Sequence, residues 1–246
     1  MNMFDFYSKK RISYVLTTKN RAKFLDHTLK GCRDLVTFED ELIVIDGAST
    51  DNTKEIVEKY RDIVNIFVSE PDFNGMHAQN KAILLSSGKY FKTLNDDDTV
   101  HKEGMIKAIE FLEKNPEIDL LVCGGVKVRN GKSKRFFVDP NVNYGAKPED
   151  IVLYGAPGIG QIVRRSVFAK VGLVAQTINA DMEFAMRCIA HGCTVRFEPI
   201  DLFYHEIFDY STIIKYRKKH MEETFRHIKQ YCGEDFLKKY KKLKNE

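Results

Sequence analysis

Along the first half of this chain, short apolar runs are each followed by a stretch whose apolar positions fall three and four apart. Those two periods belong to buried strands and to amphipathic helices. Residues 11–18, with Ile12, Tyr14, Val15 and Leu16, predict a first strand, and residues 23–35 a helix. Leu42, Ile43, Val44, Ile45 and Asp46 predict a second strand, after which Ser49, Thr50, Asp51 and Asn52 offer caps for a helix through Ile56, Val57 and Tyr60. A third strand is expected over 63–68, a helix over 75–87 closed by Gly88, and a fourth strand over 90–94. A helix over 103–114 stops before Pro116, and a fifth strand follows over 120–128. Strands alternating with helices imply an α/β fold, Rossmann-like, with a mixed, mostly parallel sheet covered by helices on both faces.

The second half is less regular. Residues 132–148 are polar and read as a hairpin or loop; Ala156 to Gln161 form a glycine-bearing loop leading into Ile162 and Val163. Short helices are expected over 165–171, ending at Gly172, and over 181–190, ending near Gly192, with short strands over 194–198 and 202–205. From 214 onward, Lys and Arg interleave with Ile214, Tyr216, Met221, Phe225, Ile228, Tyr231, Phe236 and Tyr240 at near-helical spacing. The expected organisation is one domain over 1–210, with a nucleotide-binding half over about 11–128 and an acceptor half over about 129–210. A basic amphipathic helical extension, 211–246, follows it.

Composition sharpens this in three places. The chain has 246 residues, 43% hydrophobic and 30% charged, which suits one large globular domain. The net charge of +4 is mild, and much of the positive charge lies near the C-terminus. That basic face either packs on the domain or rests on an anionic membrane surface; no recognised module accompanies it, so a nucleic-acid partner is not expected. Cys32, Cys123, Cys188, Cys193 and Cys232 are scattered, without a Cys-x-x-Cys pair, which suggests a reducing compartment and argues against a zinc site. Residues 1–10 lack the apolar core of a signal peptide. A cytoplasmic location is expected, peripheral at the inner membrane face if the basic tail meets lipid.

The chemistry gathers at two acidic clusters. Asn95-Asp96-Asp97-Asp98 follows the fourth strand, and Asp46 with Asp51 follows the second. Ligands of such sheets bind beyond the carboxyl ends of the strands. Carboxylates crowded there repel one another unless a cation intervenes, and Mg2+ or Mn2+ shared with a diphosphate fits oxygen ligands of this kind. The pattern points to an enzyme that handles a nucleotide-sugar.

At this point a resemblance becomes specific. Residues 13–24, 41–53, 69–81 and 95–98 are similar to family 2 glycosyltransferases of the GT-A fold, especially those that build bacterial surface polysaccharides. Residues 162–172 and 181–187 resemble the family's later motifs, so the likeness spans about 11–205. It implies that Thr17 and Thr18 flank the base and ribose of the donor, and that Asp46 accepts from the uracil N3–H, as an ionised carboxylate can. Asn20 and Arg21 follow the first turn, where Arg21 either meets a phosphate or pairs locally. Asn80 and Lys81 lie on a helix face approaching the donor site, Lys81 near the diphosphate or in a surface ion pair. The family's metal motif places Asp97 on the ion with Asp98 supporting it or orienting sugar; Asp96 stays a rival, since Asp96 and Asp98 also satisfy Asp-x-Asp spacing. His205 is a candidate third metal ligand or phosphate contact. Asp181 matches the family's catalytic base, with Glu183 the alternative, although Ala180 stands where relatives often carry Glu.

The resemblance thus implies an inverting, metal-dependent transfer of sugar from a nucleotide-sugar, a UDP-sugar by preference, to a hydroxyl of a glycan or lipid-linked acceptor. Two other enzyme classes fit less well. A nucleotidyltransferase wants a glycine-rich first loop, which residues 17–21 lack, and a dehydrogenase wants Gly-x-Gly-x-x-Gly after the first strand, which is absent. A non-catalytic nucleotide-sugar binder would keep the fold and lose the acids that are present here.

Overall fold

The computed structural model describes residues 10–129, 131–136, 147–208 and 211–244, the side chain of Ile213 excepted. Part of the polar 132–148 segment, residues 137–146, lies outside the described residues, as do the first nine. Strand β1 (Lys10–Thr18) is followed by helix α1 (Ala22–Leu35), β2 (Glu41–Asp46), α2 (Thr53–Glu58), β3 (Ile66–Ser69), α3 (Gly75–Leu85) and β4 (Gly88–Leu94). These strands lie in the order β3-β2-β1-β4, all parallel. Alternation along them explains the layering. Ile12, Tyr14, Leu16, Leu42 and Val44 face α1, while Val15, Ile43 and Ile45 face α3 on the other side. β2 is buried along its whole length, so its sequence reads as an unbroken apolar run up to Asp46. On α1, Leu25, Leu29 and Cys32 recur at helical spacing and close the first layer. The third strand begins three residues later than the apolar pattern suggests, because Ile63 and Val64 complete the turn after α2.

After a short strand β5 (Thr99–Val100) and α4 (Lys102–Lys114), the chain enters β6 (Leu120–Arg129), which turns into β7 (Lys132–Phe136) as an antiparallel hairpin. Helix α5 (Pro148–Tyr154) and a single 3-10 turn (Gly158–Gly160) lead into β8 (Gln161–Arg164). β8 inserts antiparallel between β4 and β6, and so joins the parallel half to the rest of the sheet. Helices α6 (Ser166–Val171) and α7 (Ala180–Ala190) cover that junction. The two short strands expected over 194–205 are one strand, β9 (Val195–Ile207), running parallel to β6. Pro199 does not end it but falls in a bulge: Cys123 of β6 pairs with Glu198 and Gly124 with Asp201, so Pro199 and Ile200 are passed over. A Cβ on Gly125 would come within 2.4 Å of the Phe203 carbonyl, so this irregular crossing needs glycine.

The C-terminal segment forms α8 (Thr212–Lys215), α9 (Arg217–Cys232) and α10 (Glu234–Lys244). Ile228 is fully buried and Tyr231 and Cys232 pack against the same core as α5 and α7. Among the described residues no helix is long and apolar enough to cross a membrane.

Candidate active site

The carboxyl ends of β1 and β4 open onto a cleft of about 690 Å³, with a smaller hollow of about 220 Å³ running from it under α7. On one wall stand Thr17, Thr18, Lys19, Arg21, Gly47, Asp96 and Asp97. Arg21 holds this wall together: its Nε donates to Asp96 Oδ1 at 2.7 Å, and its terminal nitrogen pairs with Asp97. Thr18 Oγ1 donates to the other oxygen of Asp96 at 2.9 Å, and Thr28 Oγ1 to its carbonyl at 2.8 Å. Burial pushes the Asp96 carboxyl up to about 6 against the pull of Arg21, with Asp97 adding to the rise. Asp97 is also raised, first by burial and then by Asp98, with Arg21 opposing. Burial, more than the crowding of charge, thus holds both carboxyls above their ordinary range.

Several expected donor contacts face elsewhere. Asp46 is buried behind the wall, accepting from the Ser49 N–H at 3.1 Å, from the Ser49 hydroxyl and from Ser69 Oγ at 2.6 Å. These donors make it the acid that closes the β2 turn. Asp72 lines the cleft beside Gly47 instead, against Lys81 and His77. Asn20, at φ 54°, clasps two turns: its N–H donates to Ser49 Oγ and its side-chain oxygen accepts from the Thr50 N–H at 2.8 Å. Asp51 accepts from the N–H groups of Ala22 and Thr53, as a turn and cap residue does. Asn80 is turned away from the cleft and exchanges two hydrogen bonds with the backbone of Val174, at 2.8 and 2.9 Å. Lys81 is neutralised by Asp72 at 2.6 Å and Glu70 at 2.8 Å, so it serves the local loop rather than a diphosphate.

The metal candidates divide in the same way. Asp98 lies below the cleft, where both its oxygens meet His205 Nδ1 at 2.7–2.8 Å and also accept from Asn95 Nδ2 and the Glu206 N–H. It orients the imidazole and does not itself face the cleft. Asp97 and His205 do line it. With Nδ1 engaged, His205 is left Nε2 for a ligand. The Asp97 oxygen suits Mg2+ or Mn2+, and an imidazole nitrogen beside it favours Mn2+ over the harder Mg2+. Among the described residues no three His, Cys, Asp or Glu side chains gather at ligand spacing. A cation here would thus need phosphate oxygens and water to complete its shell.

Opposite stands Asp181, in the first turn of α7, lining both the cleft and the hollow. Its Oδ2 accepts from the Gly158 N–H at 3.0 Å and its Oδ1 from the Met182 N–H at 2.8 Å. Gln161 Nε2 ties the Asp181 carbonyl to that of Ala156. Glu183, the alternative base, is buried in a different role: Arg187 binds both its oxygens and Tyr231 donates to it at 2.7 Å.

Three residues at this site escape the sequence reading. Lys92, wholly buried beneath the floor, donates to the carbonyls of Thr93 and Ile159 and so fastens β4 to the 3-10 turn that holds Asp181. Burial lowers its ammonium to about 7. Lys127, on β6, reaches the cleft wall. His220 does so from α9; burial lowers its imidazole, with Asp181 and Glu223 pulling the other way. Glu223, one turn further on, accepts from Thr177 Oγ1 at 2.6 Å and the Ile178 N–H at 2.7 Å, while Asn179 Nδ2 donates to Thr224 Oγ1 at 2.9 Å. The C-terminal helix thus buckles the turn from which α7 and Asp181 start. Only the alternation in β6 could have marked Lys127; nothing local marks the others.

The profile of Glycosyl transferase family 2 matches residues 13–172. The chain belongs to that family. Among curated relatives, the poly(ribitol-phosphate) beta-N-acetylglucosaminyltransferase TarS of Staphylococcus aureus is 30% identical over 132 residues, 51% of this chain and 23% of TarS. A putative teichuronic acid biosynthesis glycosyltransferase, TuaG of Bacillus subtilis, is 27% identical over 42% of each chain. This family 2 chain therefore spans less than half the length of either relative. The fold matches the GT-A fold of solved structures. TarS in complex with UDP-GlcNAc superposes with a TM-score of 0.70 at 19% identity, over 90% of this chain and 67% of that one. The mannosyltransferase PcManGT of Pyrobaculum calidifontis, in complex with GDP-Man and Mn2+, also gives 0.70, at 16% identity over 92% and 65%.

Proposed function

We propose that this chain is an inverting, divalent-metal-dependent glycosyltransferase that moves a sugar from a UDP-sugar to a hydroxyl of a glycan or lipid-linked acceptor in surface-polysaccharide synthesis. The observation that carries the reading is the placement of Asp181 across one cleft from Arg21, Asp96 and Asp97. Family membership and the nucleotide-sugars bound by TarS and PcManGT support it. Thr17, Thr18, Asp96 and Arg21 would hold the nucleotide and its diphosphate on one wall. The hollow lined by Gln79, Phe91, Thr93, Asn95 and Phe184 would take the sugar. A divalent cation held by Asp97 and His205 would neutralise charge developing on the diphosphate.

Asp181 takes the proton from the acceptor hydroxyl. The acceptor oxygen forms its bond to the anomeric carbon as the carbon–diphosphate bond breaks, and the electron pair leaves with UDP. Attack from the face opposite the diphosphate inverts the centre without a covalent intermediate on the protein. The N–H groups of Gly158 and Met182 fix the two carboxylate oxygens, so the base meets the hydroxyl in one orientation. The site of action would be cytoplasmic, and peripheral at the inner membrane face if the basic C-terminal helices meet anionic lipid.

The test is a panel of nucleotide-sugars read by thermal shift with and without Mn2+, followed by release of the free nucleotide. Selective stabilisation by one UDP-sugar, and turnover abolished by excess chelator, is the expected result. Full turnover in chelator would remove the metal, and stabilisation by GDP-sugars alone would remove the uridine.

A further inference from the structure

The β6–β7 hairpin beside the cleft carries an uncommon arrangement of charge. Lys127 stands directly opposite Lys134, and Arg129 directly opposite Lys132. Directly opposed residues of an antiparallel pair share a face, and the face alternates along the strand. Both cation pairs therefore lie on one side, and Val126, Val128, Ser133 and Arg135 on the other. The cation on that second side, Arg135, has a carboxylate partner in Asp201. Among the described residues neither Lys127 nor Lys134 makes an ion pair with a carboxylate, although Lys127 Nζ lies 5.0 Å from the Phe136 ring centroid. Like charges directly opposed destabilise a ladder. The hairpin strands themselves hold no acid to offset them.

One member of the pair, Lys127, reaches the chemistry. Lys127 forms part of the cleft wall with Asp181 and His220, and it is the register partner of His205 on β9. Its ammonium is lowered, first by burial and also by Lys134, with Asp181 and Asp98 opposing. The basic face thus starts at the candidate base and runs outward along the hairpin.

We propose that this face is an acceptor subsite for a phosphate-bearing acceptor, with one phosphate between Lys127 and Lys134 while the acceptor hydroxyl lies at Asp181. The inference rests on the transferase reading above and names its acceptor class. Two ammonium groups carried by directly opposed residues of one hairpin face can meet the several anionic oxygens of a phosphate. The second pair lies two residues further along, roughly 7 Å away by strand rise. A phosphodiester polymer would run on past this second pair, while a lipid diphosphate would reach the first alone.

The experiment is calorimetric titration of the full chain, saturated with UDP and Mn2+, with octyl diphosphate, with a glycerol-phosphate trimer, and with uncharged octyl glucoside. At least one phosphate probe binds and octyl glucoside does not. Lys127→Met with Lys134→Met weakens that binding roughly tenfold or more, as loss of charge-assisted bonds does. Lys134→Glu alone, at an exposed position, weakens it while the melting temperature holds or rises, because an opposed Lys–Glu pair replaces two like charges. Preference for the trimer identifies a phosphodiester polymer, and preference for octyl diphosphate a lipid-linked acceptor. Three results would overturn the subsite: no phosphate probe binding, binding undiminished in the variants, or a probe that displaces UDP. None needs turnover, so failure of every UDP-sugar to react would count against the transferase reading separately.

Discussion

On the donor wall, the groups that meet the cleft sit in turns directly after β1 and β4, and Arg21 joins the turns. On the acceptor wall, Asp181 depends on parts far away in sequence. Gly158 binds its carboxylate from 23 residues upstream, and Glu223 closes the preceding turn from 45 residues downstream. The donor wall belongs mainly to the parallel sheet, with Asp98 at its far end tied to His205 and the Glu206 N–H. The acceptor wall exists only once β8 has inserted and α9 has docked. Loss of a distant contact should therefore damage transfer while nucleotide binding persists, and four substitutions bear on that contrast.

Asp181→Asn has the largest expected effect. Transfer falls by roughly 10²–10⁴-fold, the usual worth of a general base, with UDP affinity retained in calorimetry. Near-full transfer would remove Asp181 from the role and leave the acceptor wall without its chemistry. Glu223→Ala comes next. It leaves the Ile178 N–H and Thr177 hydroxyl without their charged partner and costs about 2 kcal/mol in denaturant titration. A lower kcat with an unchanged KM for donor would locate the damage on the acceptor wall; an equal loss of donor binding would erase the contrast.

Lys92→Met tests the fastening between the walls. In the folded chain Lys92 gives up its proton near 7, whereas an unfolded lysine holds it to about 10.5. The unfolded state binds more protons between those values, so this group's contribution to stability rises with pH across the window and is lost as pH falls through 7. The variant should show a flatter profile of melting temperature from pH 7 to 10 than the parent. A steeper profile would contradict the burial argument. Asn80→Ala has the smallest expected effect on function. It costs about 1 kcal/mol of stability through the lost Val174 clasp, and donor affinity is unchanged within twofold. A tenfold loss of donor affinity would return Asn80 to the donor site.

The same division explains what the sequence discloses. The parallel half is written in period-two alternation, as in Leu42 and Val44 against Ile43 and Ile45, and the acids after β4 follow a strand that is plain to read. Asp181 is visible through its motif and its place at a helix start. The partners that decide which acids face the cleft are not local. His205 lies 107 residues from Asp98, and Val174 lies 94 residues from Asn80. No periodicity encodes such pairings, which is why Asp46, Asp98, Asn80 and Lys81 carry donor or metal chemistry by motif and structural bonds in the fold. β9 misleads for a related reason. Pro199 does sit at an irregularity, yet it is a bulge of β9 against Gly124 and Gly125 and the strand runs on beyond it.

The buckle between Glu223 and the turn at Thr177 also sets an order of events during synthesis. Gly158, Asp181 and the turn at Thr177 all precede α9 in the chain, so the acceptor wall is laid down before the helix that braces it. A chain ended before α9 would keep Asp181 and lose the carboxylate that holds the Ile178 N–H and the Thr177 hydroxyl. The reacting centre is thus completed by a helix made after every residue that it steadies.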